Sequence, residues 1–596
     1  MADMKREVER KYELPGPSGK GAGKSAGKSA GKSAGKGAGE GAGKGGTVVS
    51  GGTNGLPDLT RVLTRVDGVA SVAVRGVVEL DAVYYDTADL RLAADSVTLR
   101  RRRGGADEGW HLKLPVSADV RDEIRAPLVG GVPAELAALV RSRTRDAELI
   151  PVVRLRSSRD VSHLLDADGA RLAEVSVDSV RAQRLGDRVA AVAWTEIEVE
   201  LADGTDPALL DAVDKRLRKA GLRRSSAPSK LARALAETAP GPGDGPGPAA
   251  DATKTAGSAK TAGSAKTAGS AKTAGSTETA GAGKTAGAAA RPAAPAASRP
   301  RPVTAGDHVL AYLRAQADAI VAQDPAVRRD LPDAVHQLRV ATRRMRSTFR
   351  THRALLDRAA TDPVADELKW LAAELGVDRD HEVLDARLRA RAGALPAPLL
   401  LGPVSARLQA WHAAGSAGSR ERTLAVLDSP RYLALLTSID TLLADPPLRP
   451  AAARKPGKAL PKAILKAYGK LADRTEHALA LPPGPERDTA LHGARKAAKR
   501  ARYAAEAARP ALGKPAKRFA KRVKAVQTLL GEHQDSVVTR DALRTLAIKA
   551  HAAGESAFTW GLLYGQEQAR AADSERELPG VWARASARKI RAELTG

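Results

Sequence analysis

Residues 238–303 cannot belong to a folded core. They are rich in Pro and Gly and then repeat Thr-Ala-Gly-Ser-Ala-Lys. Almost no large apolar side chain is available to offset the entropy of ordering them. The sequence predicts a disordered linker here, with one domain over 1–237 and another over 304–596. At 596 residues the chain is in any case too long for a single core. Residues 15–55 repeat Gly-Lys-Ser-Ala in the same way and read as a flexible insertion after a first strand. A G-x-x-x-x-G-K-[ST] frame falls inside that repeat. No apolar strand precedes it and no amphipathic helix follows, so a phosphate loop is excluded.

Charge narrows the partners. The net charge is +27, and over 304–596 Lys and Arg outnumber Asp and Glu by 49 to 32. An anionic partner is expected. Aromatic residues make up only 3%, which suits a plain polyanion better than stacked single-stranded nucleic acid. With no cysteine, disulfides and thiolate chemistry are excluded. The N-terminus lacks the apolar stretch of a signal peptide, and no run of about 18 apolar residues suggests a membrane span. The expected location is the cytoplasm.

Residues 56–237 predict an α+β domain. Strand-like alternation occupies 78–87, 96–103, 110–115, 151–157, 161–166, 171–181 and 190–201, with helices near 56–66, 133–141 and 207–220. Short turns between successive strands suggest an antiparallel sheet closed on itself. As a strand, Glu7-Val8-Glu9-Arg10-Lys11 places Glu7, Glu9 and Lys11 on one face. A solvated edge strand would look the same, but the pattern recurs. Thr98, Arg100 and Arg102 share a face, as do Arg154 and Arg156, then Glu174, Ser176 and Asp178, then Glu196, Glu198 and Glu200. Lys113 stands between two leucines. A closed barrel would gather basic and acidic faces in its interior. Arg and Lys would then hold phosphate oxygens, and carboxylates would hold Mg²⁺ or Mn²⁺.

The ordered series Glu7-x-Glu9-x-Lys11, Tyr84-Tyr85-Asp86-Thr87, Leu99-Arg100-x-Arg102, Trp110-x-Leu112-Lys113 and Glu196-Ile197-Glu198-Val199-Glu200 resembles the CYTH superfamily of triphosphate tunnel metalloenzymes. The resemblance implies a closed eight-stranded antiparallel tunnel with outer helices that binds a triphosphate and divalent cations. It assigns phosphate binding to Lys11, Arg100, Arg102, Lys113, Arg154, Arg156 and Lys230. It assigns metal binding to Glu7, Glu9, Asp178, Glu196, Glu198 and Glu200, with Glu174 and Glu123 as further carboxylates. A carboxylate such as Glu9, or Lys11, would orient the attacking water. Family activities include triphosphatases of several kinds and a class of adenylyl cyclase.

Residues 304–596 turn Ala-, Leu- and Arg-rich with helical periodicity, predicting an all-α domain. His336-Gln337-Leu338-Arg339…Arg343-Arg344-Met345-Arg346 recurs 156 residues later as His492-Gly493-Ala494-Arg495…Lys499-Arg500-Ala501-Arg502. Lys369…Leu375-Gly376…Asp380 recurs 155 residues later as Lys524…Leu530-Gly531…Asp535. The half is therefore an internal duplication, each copy a bundle of about four helices. His336, Arg339, Arg343 and Arg346 fall on one helical stripe. A merely solvated stripe would interleave acids, so an anion site is expected.

These stretches resemble the CHAD domain, the conserved-histidine α-helical domain. The resemblance implies a basic channel for inorganic polyphosphate, with His336, Arg339, Arg343, Arg346, Lys369, His492, Arg495, Lys499, Arg500, Arg502 and Lys524 as contacts. The combined expectation is a cytoplasmic metal-dependent triphosphatase whose substrate is inorganic tripolyphosphate or a related compound. A tethered helical module would bind it to polyphosphate, placing it at polyphosphate granules. The alternatives are a non-catalytic polyphosphate adaptor and a CYTH-type adenylyl cyclase. Neither nucleic acid nor membrane is an expected partner.

Overall fold

The computed structural model describes residues 3–14, 56–186, 190–239 and 301–595. The insertion at 15–55 and nearly all of the linker at 238–303 lie outside the described residues. The rest forms two compact units.

The first unit is built on β1 (Asp3–Glu13), β2 (Ser71–Asp86), β3 (Thr98–Arg103), β4 (Gly109–Ser117), β5 (Val120–Ala126), β6 (Ile150–Leu165), β7 (Arg171–Arg184) and β8 (Ala191–Leu201). Every pairing is antiparallel, in the order β5-β4-β3-β2-β6-β7-β8-β1. β1 closes the circle. Its first half pairs with β5 and its second half with β8, where Glu9 meets Glu200 and Lys11 meets Glu198. A two-residue strand, β9 (Arg223–Arg224), extends the end of β1. The sheet is thus the expected closed eight-stranded barrel.

Short helices accompany the strands: α1 (Leu59–Leu63), α2 (Arg91–Ala94), α3 (Ala134–Thr144), which from Ala137 onward groups with the second unit, α4 (Ala208–Lys219) and α5 (Lys230–Glu237). On one side, Tyr12, Val175, Ile197 and Val199 pack with Leu63 of α1 and with Leu210, Val213 and Leu217 of α4. At one end of the barrel, Leu231 and Ala234 of α5 pack with Val153, Leu155, Val180 and Trp194. Two strands differ from expectation. The segments 151–157 and 161–166 form one long strand, β6. β5 was not foreseen, because Val120-Arg121-Asp122-Glu123-Ile124-Arg125 carries charge on both faces. Arg6 pairs with Asp122 on the outer face, and Arg121, Glu123 and Arg125 point inward.

The second unit is all-α. It contains α6 (Ala305–Arg328), α7 (Ala334–Thr351), α8 (Arg358–Glu374), α9 (Gly376–Gly393), α10 (Val404–Ser416), α11 (Ser419–Asp428), α12 (Pro430–Ala444), α13 (Pro456–Ala480), α14 (Pro485–Leu512), α15 (Lys514–Ala552), α16 (Phe558–Ser586) and α17 (Arg588–Thr595). The duplication is visible in the elements, since α7 matches α14. The pair α8–α9, interrupted at Leu375, matches the unbroken 39-residue α15. The two copies share one apolar core in which Leu338, Ala341 and Met345 of α7 lie with Ala494, Ala497 and Ala501 of α14. A smaller core joins α9, α10, α15 and α16.

Candidate functional site

Strand alternation turns one face of each barrel strand inward, and this face is charged over most of its length. A cavity of 160 Å³ results, lined by ten cationic side chains and seven carboxylates. From the expected set it gathers Glu7, Glu9, Lys11, Arg100, Arg102, Lys113, Glu198, Glu200 and Lys230. Glu123 and Glu174 also line it. Lys5, Arg121, Arg125, Arg159 and Arg171 join them without having been foreseen.

The charges interlock. Lys113 Nζ lies 2.6 Å from Glu7 and 3.7 Å from Glu123. Lys11 pairs with Glu198 and lies 3.5 Å from Glu9, while Arg121 also pairs with Glu9. Arg100 donates to Tyr84 Oη at 3.3 Å, which gives the first tyrosine of Tyr84-Tyr85-Asp86-Thr87 its place in the cavity. Asp86 has a different task. It accepts from the backbone N–H of Thr87, Leu92 and Ala93 and so fixes α2.

Protonation follows from these contacts. Burial, with the Glu123 and Glu200 charges adding to it, pushes Glu7 up to about 7 against the pull of Lys113. Burial would raise Glu9 too, but Lys11, Lys113 and Arg121 outweigh it and hold this carboxyl down at about 2. Burial and the neighbouring Arg100 and Arg159 push Arg102 down from its usual range. The Nε atoms of Arg100 and Arg102 are buried without a hydrogen-bond partner. Orphaned cationic donors and a cationic excess together fit a multivalent anion.

Asp178 and Glu196 face the interior but do not line this cavity. Asp178 receives two bonds from Arg159, at 2.8 and 2.9 Å, and lies 3.0 Å from Lys230. Glu196 accepts from Trp194 Nε1 at 2.7 Å and lies 2.9 Å from the same ammonium. Ser229 caps α5, accepting from the Ala232 N–H, and so sets Lys230 in the first turn over these carboxylates. Their charge is met from within the protein. Of the seven carboxylates that line the cavity, Glu7, Glu9, Glu174, Glu198 and Glu200 form an all-oxygen set that fits Mg²⁺ or Mn²⁺, most of them paired here with lysines and arginines.

Arg154 and Arg156 stand apart from the cavity and correct the expected phosphate set. They bind Asp81, Arg154 through two nitrogens and Arg156 at 3.6 Å. The inward residues of β6 are Val153, Leu155, Ser157 and Arg159, because Val153 pairs across from Tyr84. The rule "apolar out, charged in" fails where α5 covers the barrel end and the interior becomes apolar. Four residues beyond Leu155, the same face delivers Arg159.

In the helical unit a second cavity, of 740 Å³, is lined by Arg343, Arg346 and Arg350 of α7 and by His492, Arg495, Lys499 and Arg500 of α14. Burial, with Arg495 and Arg343 nearby, pushes Lys499 down to about 8. Burial likewise lowers Arg343, Arg346 and Arg500. His492 Nδ1 and the Nε atoms of Arg343 and Arg495 lack partners. Arg350 and Arg500 also line an adjoining pocket with Lys466, Lys470 and Arg474 of α13, none of which the motifs indicated.

His336, Arg339, Lys369, Arg502 and Lys524 do not line either cavity. Arg339 donates to Gly376 O and to Asp380, at 3.3 and 3.0 Å. Its counterpart Arg495 lies 3.6 Å from Asp535 while also reaching the cavity. Arg502 pairs with Glu506 and covers the Tyr503 ring. Lys369 and Lys524 are exposed on α8 and α15.

Comparison with known proteins matches residues 63–235 to the CYTH domain and residues 311–544 to the CHAD domain. An uncharacterized protein of Mycobacterium tuberculosis is 37% identical over 509 residues, covering 82% of this chain and 86% of that protein. Among solved structures, PptA from Streptomyces chartreusis is 23% identical with a TM-score of 0.40, covering 47% of this chain and 99% of that one. A CHAD domain from Ricinus communis is 25% identical with a TM-score of 0.39, covering 48% of this chain and 95% of that one. Among the described residues no helix is long and apolar enough to cross a membrane. The chain belongs to the family of proteins in which a CYTH domain is followed by a CHAD domain.

Proposed function

We propose that the barrel hydrolyses a triphosphate, inorganic tripolyphosphate foremost, with Mg²⁺ or Mn²⁺, and that the helical unit binds inorganic polyphosphate. The observation that carries the reading is the barrel cavity itself, with ten cations and seven carboxylates around 160 Å³. Such a wall suits a small anion of high charge density that brings divalent cations with it. Arg100, Arg102, Lys113, Arg125 and Arg159 would hold phosphoryl oxygens, and Arg is suited to bidentate contacts. Glu7, Glu9, Glu198 and Glu200 would hold the metal, with Glu174 near them. The bound metal would neutralise phosphoryl charge and raise the reactivity of water toward in-line displacement. Glu9, kept ionised by Lys11 and Arg121, stands ready to orient that water as Lys11 grips the substrate.

In the helical cavity, cations crowd without enough acids to balance them, the arrangement a polyanion relieves. Domain boundaries at 1–237 and 304–596 and a cytoplasmic location on polyphosphate complete the proposal. The test supplies tripolyphosphate, ATP and long-chain polyphosphate separately with Mg²⁺ or Mn²⁺ and measures phosphate and cyclic AMP. Fast phosphate release from tripolyphosphate is expected. Cyclic AMP from ATP would favour the cyclase, and no turnover on any of the three would favour an adaptor.

A further inference from the structure

Three helices of the second CHAD copy meet where one imidazole faces two carboxylates. His533 of α15, only 1% exposed, directs Nε2 toward Asp488 Oδ1 of α14 and Glu575 Oε1 of α16, at 3.3 Å in each case. The three donor atoms lie within 4.8 Å of one another. Each carboxylate divides its oxygens. Asp488 gives Oδ2 to Arg540 at 2.9 Å, and Glu575 gives Oε2 to Arg487 at 3.0 Å. The arginines thereby fix both carboxylates and leave one oxygen of each turned to the same nitrogen.

A single N–H serves this arrangement poorly. The His533–Glu575 contact is within hydrogen-bonding reach at 3.3 Å, but a single N–H shared between two acceptors at this distance is weak to each. A metal ion at this place would engage both carboxylates fully. Donors about 2.0–2.1 Å from a tetrahedral ion stand roughly 3.3–3.4 Å apart. One imidazole nitrogen with two carboxylate oxygens suits zinc or manganese, and outer arginines of this kind commonly orient ligating carboxylates. The same arginines balance the carboxylate charge, so the site keeps its shape without the ion.

We propose that Asp488, His533 and Glu575 bind a divalent transition-metal ion that staples α14 to α15 and α16. The 155-residue repeat sets Asp378 where the second copy has His533, so the imidazole belongs to the second copy. Asp488 stands one helical turn before His492, and α14 carries His492, Arg495, Lys499 and Arg500 into the basic cavity. The ion would steady the helix that presents these cations.

The test uses the full chain freed of metal and reloaded with Zn²⁺ or, separately, Mn²⁺. Bound ions are counted in the wild type, His533→Gln and Asp488→Asn, with circular dichroism to establish folding. Each variant should bind one ion fewer than the wild type, and Zn²⁺ should raise the unfolding temperature of the wild type more than that of either variant. Glu9→Gln, in the barrel, should keep this ion. Pulsed EPR of the Mn²⁺-loaded wild type needs no variant. Nitrogen coupling to Mn²⁺ is expected from His533, because the barrel's carboxylates offer only oxygen. Equal ion counts in wild type and folded variants would overturn the proposal, as would Mn²⁺ without nitrogen coupling.

Discussion

Lys230 Nζ stands 3.0 Å from the carboxylate of Asp178, a residue with no exposure to solvent. The same ammonium reaches Glu196 and Glu198 at 2.9 and 2.6 Å. Despite the opposing effect of burial, Lys230 and Arg159 hold Asp178 below its ordinary value. This pair ties the first turn of α5 to the barrel wall. Replacing Lys230 by Met strands buried carboxylates, a class of change that costs about 3–5 kcal/mol. Chemical denaturation should show the loss as an earlier unfolding of the barrel, with the helical unit unaffected. The sign with pH is fixed: a depressed carboxylate contributes stability above its unfolded pKa. That contribution disappears as pH falls through the depressed folded value.

Arginines outside the cavity and on its wall separate cleanly by mutation. Arg154→Ala and Arg156→Ala remove partly exposed partners of Asp81, so stability should change by less than about 0.5 kcal/mol and kcat/KM by less than about twofold. Arg102→Ala removes a buried cation from the cavity wall. Loss of a charge-assisted bond to phosphate, about 1.5–3 kcal/mol, lowers kcat/KM about ten- to a hundredfold. Steady-state kinetics on tripolyphosphate compares the three.

Lys499 gives the helical cavity a pH signature. With its pKa lowered to about 8, this amine is partly neutral in the unbound protein at pH 8. A polyanion favours the charged form and raises the value again. Polyphosphate binding at pH 8–8.5 should therefore take up protons, and affinity should fall as pH rises through this range. Calorimetry in buffers of different ionisation enthalpy measures the uptake. Lys499→Met should reduce it while leaving the cavity's arginines in place.

What was legible in the sequence was the alternation and the repeat. Glu7, Glu9, Lys11, Arg100, Arg102 and Lys113 announce a charged inner face because each alternates with residues that pack outward. Arg159 was hidden because the inward face of β6 begins with Val153 and Leu155 under α5, and periodicity alone cannot say which face of a strand is inside. Arg121 and Arg125 were hidden because β5 is charged on both faces. The repeat located α7 and α14, and it also carried along Lys369 and Lys524, which line neither cavity. The constant feature near them is a seat for arginine: a Cβ on Gly376 would stand 3.0 Å from Arg339 Nη2, and one on Gly531 3.4 Å from Arg495 Nη2. The residues Lys466, Lys470 and Arg474 of α13 could not be read from the motifs at all, since only the packing of α13 beside α14 brings them to the groove.

The most direct measurement is phosphate release from tripolyphosphate by the full chain with Mg²⁺ or Mn²⁺, before and after EDTA, in the wild type and in Glu9→Gln. The account predicts turnover in the wild type that EDTA abolishes and that Glu9→Gln loses by at least about a hundredfold, comparable to removing one preorganised electrostatic group. Polyphosphate binding by the helical unit should persist in the same variant. Full metal-dependent activity in a folded Glu9→Gln protein would contradict the assignment of the barrel's carboxylates.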